Sequence, residues 1–200
     1  MDTWTVLLIG GPAATRKTSV AKTIAARCGT EVLQADDVWL ALQRAIDPDT
    51  RPTLHFFARE TVWDRPIEEL VTAMRVLADE VSAALEPVTA HHLRVRDRIV
   101  IEGVWITPAF AARKAFGGST YDGAVRSVFI DERDQTAIRD VMLARGRGIQ
   151  EWLPRRQTAM VRMQAGYGEW LREAASAQGL PLVAARPVET LVDRVLTAVN

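Results

Sequence analysis

The chain has 200 residues, of which 48% are hydrophobic, and its 25 basic and 25 acidic side chains give a net charge of zero. This length and apolar fraction suit one domain with a sizeable core, and the neutral charge disfavours a protein that binds nucleic-acid phosphates. The single cysteine, Cys28, excludes an internal disulfide and a multi-cysteine metal site. The apolar stretches are too short for a membrane span and no basic leader precedes the first one, so we expect a cytoplasmic protein without a membrane partner. We further expect a monomer or homodimer that does not bind nucleic acid.

Strands and helices alternate in the first part of the chain. Residues 5–9 (TVLLI) form a continuous apolar run, which is typical of a strand buried on both faces. A helical pattern follows over residues 18–28, with apolar side chains four residues apart and a glycine directly after it. Residues 31–35 (EVLQA) indicate a second strand, and Asp36 and Asp37 follow where this strand ends and a helix begins.

A long helix and a third strand are predicted in the middle of the chain. Residues 47–52 have the composition of a loop. The apolar residues that follow recur on one helical face, and Pro66 and Pro87 mark the start and the end of this helix. The sequence RIVI at residues 98–101 then predicts a buried strand with Glu102 at its carboxyl end.

The last part of the chain continues the alternation. Residues 125–130 (VRSVFI) predict a fourth strand, residues 133–145 a helix, and residues 155–177 a second long helix. Residues 180–184 (LPLVA) predict a fifth strand, and Pro187 opens the final helix.

This alternation predicts an α/β protein: a three-layer sandwich in which helices cover both faces of a five-stranded parallel sheet. We interpret residues 1–200 as one domain. Ligands of such folds bind at the carboxyl ends of the strands. We therefore expect a site formed by the loop after Ile9, by Asp36 and Asp37, and by Glu102.

A candidate phosphate-binding loop lies at residues 10–19, GGPAATRKTS. It matches the pattern G-x-x-x-x-G-K-[ST] at Gly11, Lys17 and Thr18, but Arg16 replaces the second glycine. Backbone N–H groups and the helix N-terminus of such a loop bind phosphate, the lysine reaches the β- and γ-phosphates, and the hydroxyl residue binds Mg²⁺. We expect the nucleotide to contact Gly11, Pro12, Ala13, Ala14, Thr15, Arg16, Lys17, Thr18 and Ser19.

Arg16 allows two interpretations. A glycine at this position lets the backbone pass close to the phosphates, whereas a Cβ atom must point away or shift the loop. In the first interpretation the arginine points outward or adds positive charge to the site. In the second the site is degraded and the protein binds nucleotide weakly or without turnover. The retained Lys17, Thr18, Asp36 and Glu102 favour the first.

The carboxylates at the strand ends are candidates for the chemistry of phosphoryl transfer. We choose Asp36 as the general base for an acceptor hydroxyl, with Asp37 contacting the acceptor, although either aspartate is also suited to capping a helix. Glu102 follows three apolar residues, where a charge is costly unless it is used or paired. We expect Glu102 to orient a metal-bound water or the acceptor.

Arginines after the fourth strand are candidates for a mobile cationic lid. Arg139 and Arg145 share the helix that leads into the RGRG turn, which also contains Arg147, and we expect the first two to contact the transferring phosphate. Solvated surface positions are the alternative for each of them. His55 and Arg59 precede the long helix, and we expect them to bind the acceptor.

Four segments together resemble the P-loop small-molecule kinases with adenylate-kinase-like topology, and within them the 2-phosphoglycerate-kinase-like proteins. They are GGPAATRKTS at 10–19, QADDVW at 34–39, IVIEGVWITP at 99–108, and LPLVAARPVETLVDRVL at 180–196. The likeness covers most of the chain, and the first and third segments carry most of its specificity. Arg16 departs from the glycine of the family.

The resemblance implies a kinase that uses ATP as donor and Mg²⁺ as cofactor. It implies an arginine lid at about residues 133–156 and a loop near the adenine at Arg186 and Pro187. The acceptor segment, about residues 47–95, has no motif that matches the family. The sequence thus predicts an ATP-dependent phosphotransferase that acts on a hydroxyl group of a phosphorylated metabolite, a sugar, a nucleoside or an antibiotic. A nucleotide-binding protein without kinase activity is the alternative.

Overall fold

The computed structural model describes residues 4–146 and 148–200. Within them, helices cover both faces of a sheet of five parallel strands, as the sequence predicts. The strands, of which the fourth and fifth form a separate short hairpin, are β1 (Val6–Gly10), β2 (Glu31–Gln34), β3 (Ile99–Glu102), β4 (Ala115–Phe116), β5 (Ser119–Thr120), β6 (Val125–Asp131) and β7 (Leu182–Ala184). The α-helices are α1 (Lys17–Cys28), α2 (Ala35–Ala45), α3 (Ile67–Val95), α4 (Pro108–Ala111), α5 (Gln135–Ala144), α6 (Pro154–Ala177) and α7 (Leu191–Val199). Shorter 3₁₀ turns occupy Pro52–Ala58, Glu60–Asp64, Ile149–Glu151 and Val188–Thr190.

The strand order of the central sheet is β2-β3-β1-β6-β7, so β1 lies in the middle. The pairing register brings three strand ends together, because Glu102 of β3 pairs with Ile9 of β1 on one side and with Gln34 of β2 on the other. Each of these strands leads directly into a segment with candidate site residues. The register therefore places the phosphate loop, the two aspartates and Glu102 at one edge of the sheet.

Alternate residues of β1 point to opposite faces of the sheet, as the pleat of a strand requires. Val6 and Leu8 belong to a core that α3 and α6 cover, whereas Leu7 and Ile9 belong to a second core that α1 and α7 cover. All five residues of β1 are buried. This double burial explains why the strand is a continuous apolar run instead of an alternating one.

Helix α3 is longer than the sequence predicts. Pro87 was expected to end it, but the helix continues to Val95 and spans 29 residues with the proline inside. Buried side chains on both sides of the proline, Leu85 and Leu93, pack into the core, and this packing outweighs the loss of one backbone hydrogen bond. Despite its length, neither α3 nor another helix in the described part of the chain is apolar and long enough to cross a bilayer.

The two aspartates at the end of β2 do not cap a helix as the sequence suggests. Strand β2 ends at Gln34, which is the residue that precedes the first turn of α2, and Asp36 and Asp37 lie inside that turn. Carboxylates are favourable in a first turn because the unpaired N–H groups there carry partial positive charge. The cap alternative for both aspartates is therefore wrong.

Candidate active site

The loop between β1 and α1 is folded tightly against the neighbouring strand. Gly11 has a φ of 138°, and a Cβ atom added to it would lie 2.3 Å from the carbonyl oxygen of Ile130. Only glycine fits a backbone that approaches another backbone this closely. The glycine that the phosphate-loop pattern requires at this position thus has a packing reason as well.

Two residues of the loop have left-handed backbones without being glycine. Arg16 has a φ of 63° and Ala14 a φ of 70°. Each such residue costs about 1–2 kcal/mol relative to a right-handed conformation. The sequence pattern draws attention to Arg16, because it requires glycine at that position. Ala14 has the same left-handed backbone, but the pattern accepts any residue there and so gives no sign of it. The side chain of Arg16 is exposed, and it is the residue directly before α1.

Lys17 is buried at the first position of α1, with 4% of its surface exposed. Its Nζ donates to the carbonyl oxygen of Pro12 at 2.6 Å and to Oγ1 of Thr15 at 3.2 Å. Burial is the largest influence on Lys17 and lowers its pKa to about 8, with Arg145 acting in the same direction and the carboxylates of Glu102 and Asp36 opposing the decrease. The ammonium group therefore lies inside the loop, among the groups that would surround a bound phosphate.

Thr18, which is half-buried, and Glu102, which is buried, place two oxygen atoms together at the N-terminus of α1. Thr18 Oγ1 donates to Glu102 Oε1 at 2.8 Å, and Glu102 is 4% exposed at the end of β3. Hydroxyl and carboxylate oxygens suit Mg²⁺, which commonly takes one or two protein ligands and completes its shell with phosphate and water. The described residues contain no cluster of three or more His, Cys, Asp or Glu side chains for a metal. The pair thus fits a Mg²⁺ ion held jointly by protein and substrate.

The two aspartates of α2 differ in their surroundings. Asp36 is half-buried, lines a cavity beside the loop and interacts electrostatically with Lys17. Asp37 is exposed and does not line that cavity in the described part of the chain. Of the two aspartates, only Asp36 acts on Lys17, and Glu102 acts on the same lysine.

Three cavities surround the loop, and we name them by position. The loop cavity, of about 530 Å³, is lined by Arg16, Thr18, Ser19, Asp140, Val141, Ala144 and Arg145. The terminal cavity, of about 280 Å³, is lined by Ala14, Arg16, Glu132, Val141, Ala185, Arg186, Pro187, Val188 and Glu189. The aromatic cavity, of about 330 Å³, is lined by Ala13, Asp36, Trp39, Phe57, Trp63, Met74, Val104, Trp105, Met142, Arg145, Ile149, Trp152, Arg156, Met160, Met163 and Gln164.

The two arginines chosen for the lid lie in different places. Arg145 directly follows α5, lines both the loop cavity and the aromatic cavity, and acts on the pKa of Lys17. Arg139 is exposed on α5 and, among the described residues, is not part of the lining of these three cavities. Arg147 lies outside the described residues.

The loop at Arg186 and Pro187 forms the wall of the terminal cavity. Arg186 Nε donates to Glu132 Oε2 at 2.9 Å, which ties the loop to the end of β6. Arg194 of α7 holds it from the other side, because its guanidinium donates to the carbonyl oxygens of Ala184 at 2.6 Å and Pro187 at 2.8 Å. Arg194 was missed in the sequence, where one exposed arginine of a helix carries no distinguishing pattern.

His55 and Arg59 were expected to bind the acceptor, but neither lines the aromatic cavity within the described residues. His55 Nε2 lies 2.9 Å from the carbonyl oxygen of Ile46 and thus links the 3₁₀ turn to the end of α2. The same segment does contribute to the cavity through Phe57 and Trp63. The segment thus reaches this cavity through two aromatic side chains and not through His55 and Arg59, and an acceptor-binding role for any of them stays a prediction.

Gln164 connects the phosphate loop with the aromatic cavity and was also missed. The side chain is buried on α6, lines the cavity and accepts a hydrogen bond from the N–H of Ala13 at 2.8 Å. Four residues further along α6, a Cβ atom on Gly168 would lie 2.9 Å from Cγ of Pro12, so the helix packs directly on the loop. A signal existed, because Gln164 lies next to Met163 on the apolar face of the helix, where an uncharged polar residue needs a partner.

Comparison with known proteins supports this architecture. No family model matches the chain, and no curated protein matches its sequence. Among solved structures, shikimate kinase from Acinetobacter baumannii in complex with shikimate is 14% identical, covers 98% of this chain and 93% of its own, and has a TM-score of 0.51. The chain has the P-loop kinase fold. Gluconokinase from Sinorhizobium meliloti 1021 is a weaker match, 13% identical over 99% of this chain and 92% of its own, with a TM-score of 0.46. Deoxyadenosine kinase from M. mycoides with bound dATP is 8% identical over 96% of this chain and 97% of its own, with a TM-score of 0.49.

Proposed function

We propose that the protein is an ATP-dependent phosphotransferase that uses Mg²⁺ and phosphorylates a hydroxyl group of a small molecule in the cytoplasm. One observation carries this proposal: Lys17, the Thr18–Glu102 pair and Asp36 meet at one edge of the sheet, between a charged cavity and an apolar one. A donor nucleotide and an acceptor need two adjoining spaces of this kind. The fold shared with shikimate kinase is consistent with the proposal.

The proposed reaction joins the two cavities. The acceptor hydroxyl oxygen forms a bond to the γ-phosphorus of ATP, the bond from that phosphorus to the β,γ-bridging oxygen breaks, and ADP leaves with the electron pair. Asp36 accepts the hydroxyl proton. Mg²⁺ would be held by Thr18 and Glu102 and would neutralise charge on the phosphates.

Two cations of the chain serve the transferring phosphate in this proposal. Lys17 exchanges its contacts with Pro12 and Thr15 for the β- and γ-phosphate oxygens. Arg145 lines both the loop cavity and the aromatic cavity, which supports a role in stabilising charge as the phosphoryl group passes between them. Arg186 and Pro187 line the terminal cavity, and we assign the adenine to that space.

A narrower relationship to 2-phosphoglycerate kinases is less well supported than the general activity. An acceptor with a phosphate and a carboxylate needs several uncompensated cations. The aromatic cavity offers Arg145 and Arg156, and Arg156 is already ion-paired with Glu60. An antibiotic-modifying phosphotransferase, which would accept a bulkier and less charged alcohol, agrees better with this wall.

Binding and turnover of ATP test the proposal. Calorimetry with MgATP and an assay of ADP production across a panel of alcohols are to be compared between the natural chain, Lys17→Ala and Lys22→Ala. We expect Lys17→Ala to lower turnover by at least about 10²-fold, because it removes a cation at the developing charge. Lys22 is exposed on the same helix and serves as the control without effect.

The outcome separates the kinase from its alternative. No binding of ATP at millimolar concentration would refute the proposal. Binding that depends on Lys17, but without ADP production for any alcohol, would favour a nucleotide-binding protein without kinase activity. The left-handed backbones of Ala14 and Arg16 are the structural reason to keep that alternative.

A further inference from the structure

The aromatic cavity adjoins the phosphate loop at one end. Ala13 and Gln164 line it and are joined by a hydrogen bond of 2.8 Å. Asp36 and Arg145 line it as well, and both act electrostatically on Lys17. The polar part of the lining is therefore gathered where the proposed base and the transferring phosphate would meet.

The rest of the wall is aromatic and thioether in character. Four of the six tryptophans of the chain line this one cavity: Trp39, Trp63, Trp105 and Trp152. The ring centroids of Trp39 and Trp105 lie 5.0 Å apart, and those of Trp63 and Trp152 lie 6.1 Å apart. Large ring faces around a cavity favour a ligand that is itself planar or apolar, because such a ligand stacks on them and releases water.

Methionines make this wall adaptable. Met74, Met142, Met160 and Met163 come from three helices and line the same space. The unbranched, polarisable thioether side chain adjusts its rotamer to the outline of a ligand and makes favourable contacts with aromatic rings. A wall of this composition accepts a ring system with some variation of its substituents.

The charges of the cavity are already compensated away from the loop. Among the described lining residues, Asp36, Arg145 and Arg156 carry charge. The guanidinium carbon of Arg156 lies 3.9 Å from the ring centroid of Trp152 and 5.2 Å from that of Trp63, and the side chain is ion-paired with Glu60. Arg156 thus packs on the two tryptophans, and a second anionic group of an acceptor would compete with Glu60 for its charge. Nε of Arg156 is buried and has no hydrogen-bond partner within the described residues.

A polyhydroxylated acceptor is disfavoured for a related reason. Apart from the indole N–H groups, Gln164 has the only uncharged polar side chain among the described lining residues. Its Oε1 already accepts a hydrogen bond from the N–H of Ala13. The indole N–H of Trp39 donates to the carbonyl oxygen of Leu54. The indole N–H groups of Trp63 and Trp105 have no partner within the described residues and could each pair with one ligand oxygen. A sugar has more hydroxyl groups than these two donors, so binding it here would leave other hydroxyl groups without partners, at a cost for each buried group.

We propose that the acceptor is a neutral alcohol with an aromatic ring system, whose rings occupy the aromatic cavity and whose hydroxyl group lies beside Asp36. The inference rests on the proposed kinase function and names its substrate class. A volume of about 330 Å³ lies at the lower end of ligand pockets, which suits one or two rings with a short hydroxyl-bearing side chain. In the reaction, the hydroxyl oxygen of this side chain becomes the phosphoester oxygen and its proton passes to Asp36.

The test measures acceptor binding independently of turnover. Quenching of tryptophan fluorescence is recorded without nucleotide for monocyclic and bicyclic aromatic alcohols, and for glucose, gluconate and 2-phosphoglycerate as polar probes. Each compound is then assayed for ADP production with MgATP. We expect the aromatic alcohols to bind and to be phosphorylated, with a KM at least about tenfold lower than that of the polar compounds.

Two variants connect the signal to the cavity. Trp152→Ala is expected to raise the KM for the aromatic alcohol about tenfold, because a stacking face is lost, while the affinity for MgATP stays unchanged. Trp170→Leu is the matched control: Trp170 packs on Tyr167 and Arg75 and is not part of the lining. Met160→Gln adds a polar group of similar size to the wall and gives a second, milder substitution with the same expected direction.

The possible failures can be told apart. Phosphorylation of polar compounds alone, with a KM that Trp152→Ala does not alter, would overturn this inference and leave the kinase intact. The absence of aromatic-alcohol binding at millimolar concentration in a chain that binds MgATP would also overturn it. Failure to bind MgATP would instead refute the proposed function itself.

Discussion

The phosphate loop separates two regions of opposite character. On one side, the loop cavity and the terminal cavity are lined by charged residues such as Arg16, Asp140 and Arg186. On the other side, the aromatic cavity is lined mainly by tryptophans and methionines. A triphosphate is recognised by charge and by backbone N–H groups, whereas a small apolar acceptor is recognised by shape and stacking. In the proposed reaction, donor and acceptor would therefore be selected by different physical means.

The two regions also differ in how the sequence encodes them. The donor side begins with one contiguous segment between a strand and a helix, and such a segment produces a recognisable string. The aromatic cavity collects residues from α2, the 3₁₀ turns, α3, α5, α6 and the segments after β1 and β3. Helical spacing relates the residues of one helix, such as Arg156, Met160 and Met163 of α6, but no spacing relates one element to the next, because only tertiary packing brings the elements together.

The substitution Glu102→Gln tests whether the charged region and the aromatic region act separately, and we expect the largest effect from it. The substitution keeps an acceptor for the hydroxyl of Thr18 but removes the negative charge beside the proposed Mg²⁺ site. We expect turnover to fall by at least about 10²-fold and the Mg²⁺ concentration at half-maximal rate to rise, while binding of aromatic alcohols stays unchanged. Glu173→Gln, at an exposed position of α6 that does not line the three cavities within the described residues, is the matched control. An unaltered Mg²⁺ requirement would contradict the assignment of Glu102.

The fold was predictable from the sequence, and the site in part. The apolar runs at β1 and β3 and residues 128–130 of β6 predicted the sheet, because a strand segment buried on both faces rarely contains a charge before it ends. The one charge inside β6, Arg126, lies where that strand is only partly buried. The same rule identified Glu102. The end of α3 was predicted wrongly at Pro87. A proline in the sequence indicates a local cost to the helix, but it does not show the tertiary packing that outweighs this cost. The contact of Gln164 with the loop was not predicted, because its partner Ala13 is 151 residues away in the chain.

The next largest effect concerns Gln164, which contacts both regions. Gln164→Leu leaves the N–H of Ala13 without its acceptor, and we expect unfolding free energy to decrease by about 1–3 kcal/mol, the cost of a buried unpaired donor. Urea unfolding measures this change, and calorimetry should show weaker binding of both MgATP and the aromatic alcohol. Gln178→Leu makes the same chemical change at the exposed end of α6 and serves as control. A loss confined to one ligand would show that Gln164 does not couple the two regions.

A third effect follows from the lowered pKa of Lys17. Below about pH 8 the buried amine is protonated and pairs with phosphate, whereas above that pKa the free protein is increasingly neutral at this position. Binding of ATP must then take up a proton, so we expect its Kd to rise by up to about tenfold for each pH unit above 8. Calorimetry with a non-hydrolysable ATP analogue between pH 7 and 9.5 measures it.

Lys17→Arg is the control for this dependence, because arginine stays charged throughout the range. Its affinity, even if lower, should not change with pH. The stability of the free natural chain should change in the opposite direction to its affinity: between pH 8 and the unfolded value of 10.5, the unfolded state holds one more proton at this residue, so the unfolding free energy rises with pH from this source. A Kd that is constant to pH 9.5 in the natural chain would contradict the burial of a titrating lysine in the loop.

The smallest effect is expected at Arg16, which borders both charged cavities. Arg16→Gly removes the left-handed strain of a residue at φ 63°, and we expect Tm to rise by about 2–4 °C for a gain near 1 kcal/mol. The guanidinium is exposed, so its loss should weaken ATP binding only a few-fold. Arg16→Lys keeps the charge and the strain, whereas Arg16→Asn removes the charge and tolerates the backbone, so the two variants separate these contributions. A gain in turnover above tenfold for both Arg16→Gly and Arg16→Asn would mean that the arginine impairs the natural loop, and the donor side would then bind nucleotide without supporting efficient transfer to the aromatic side.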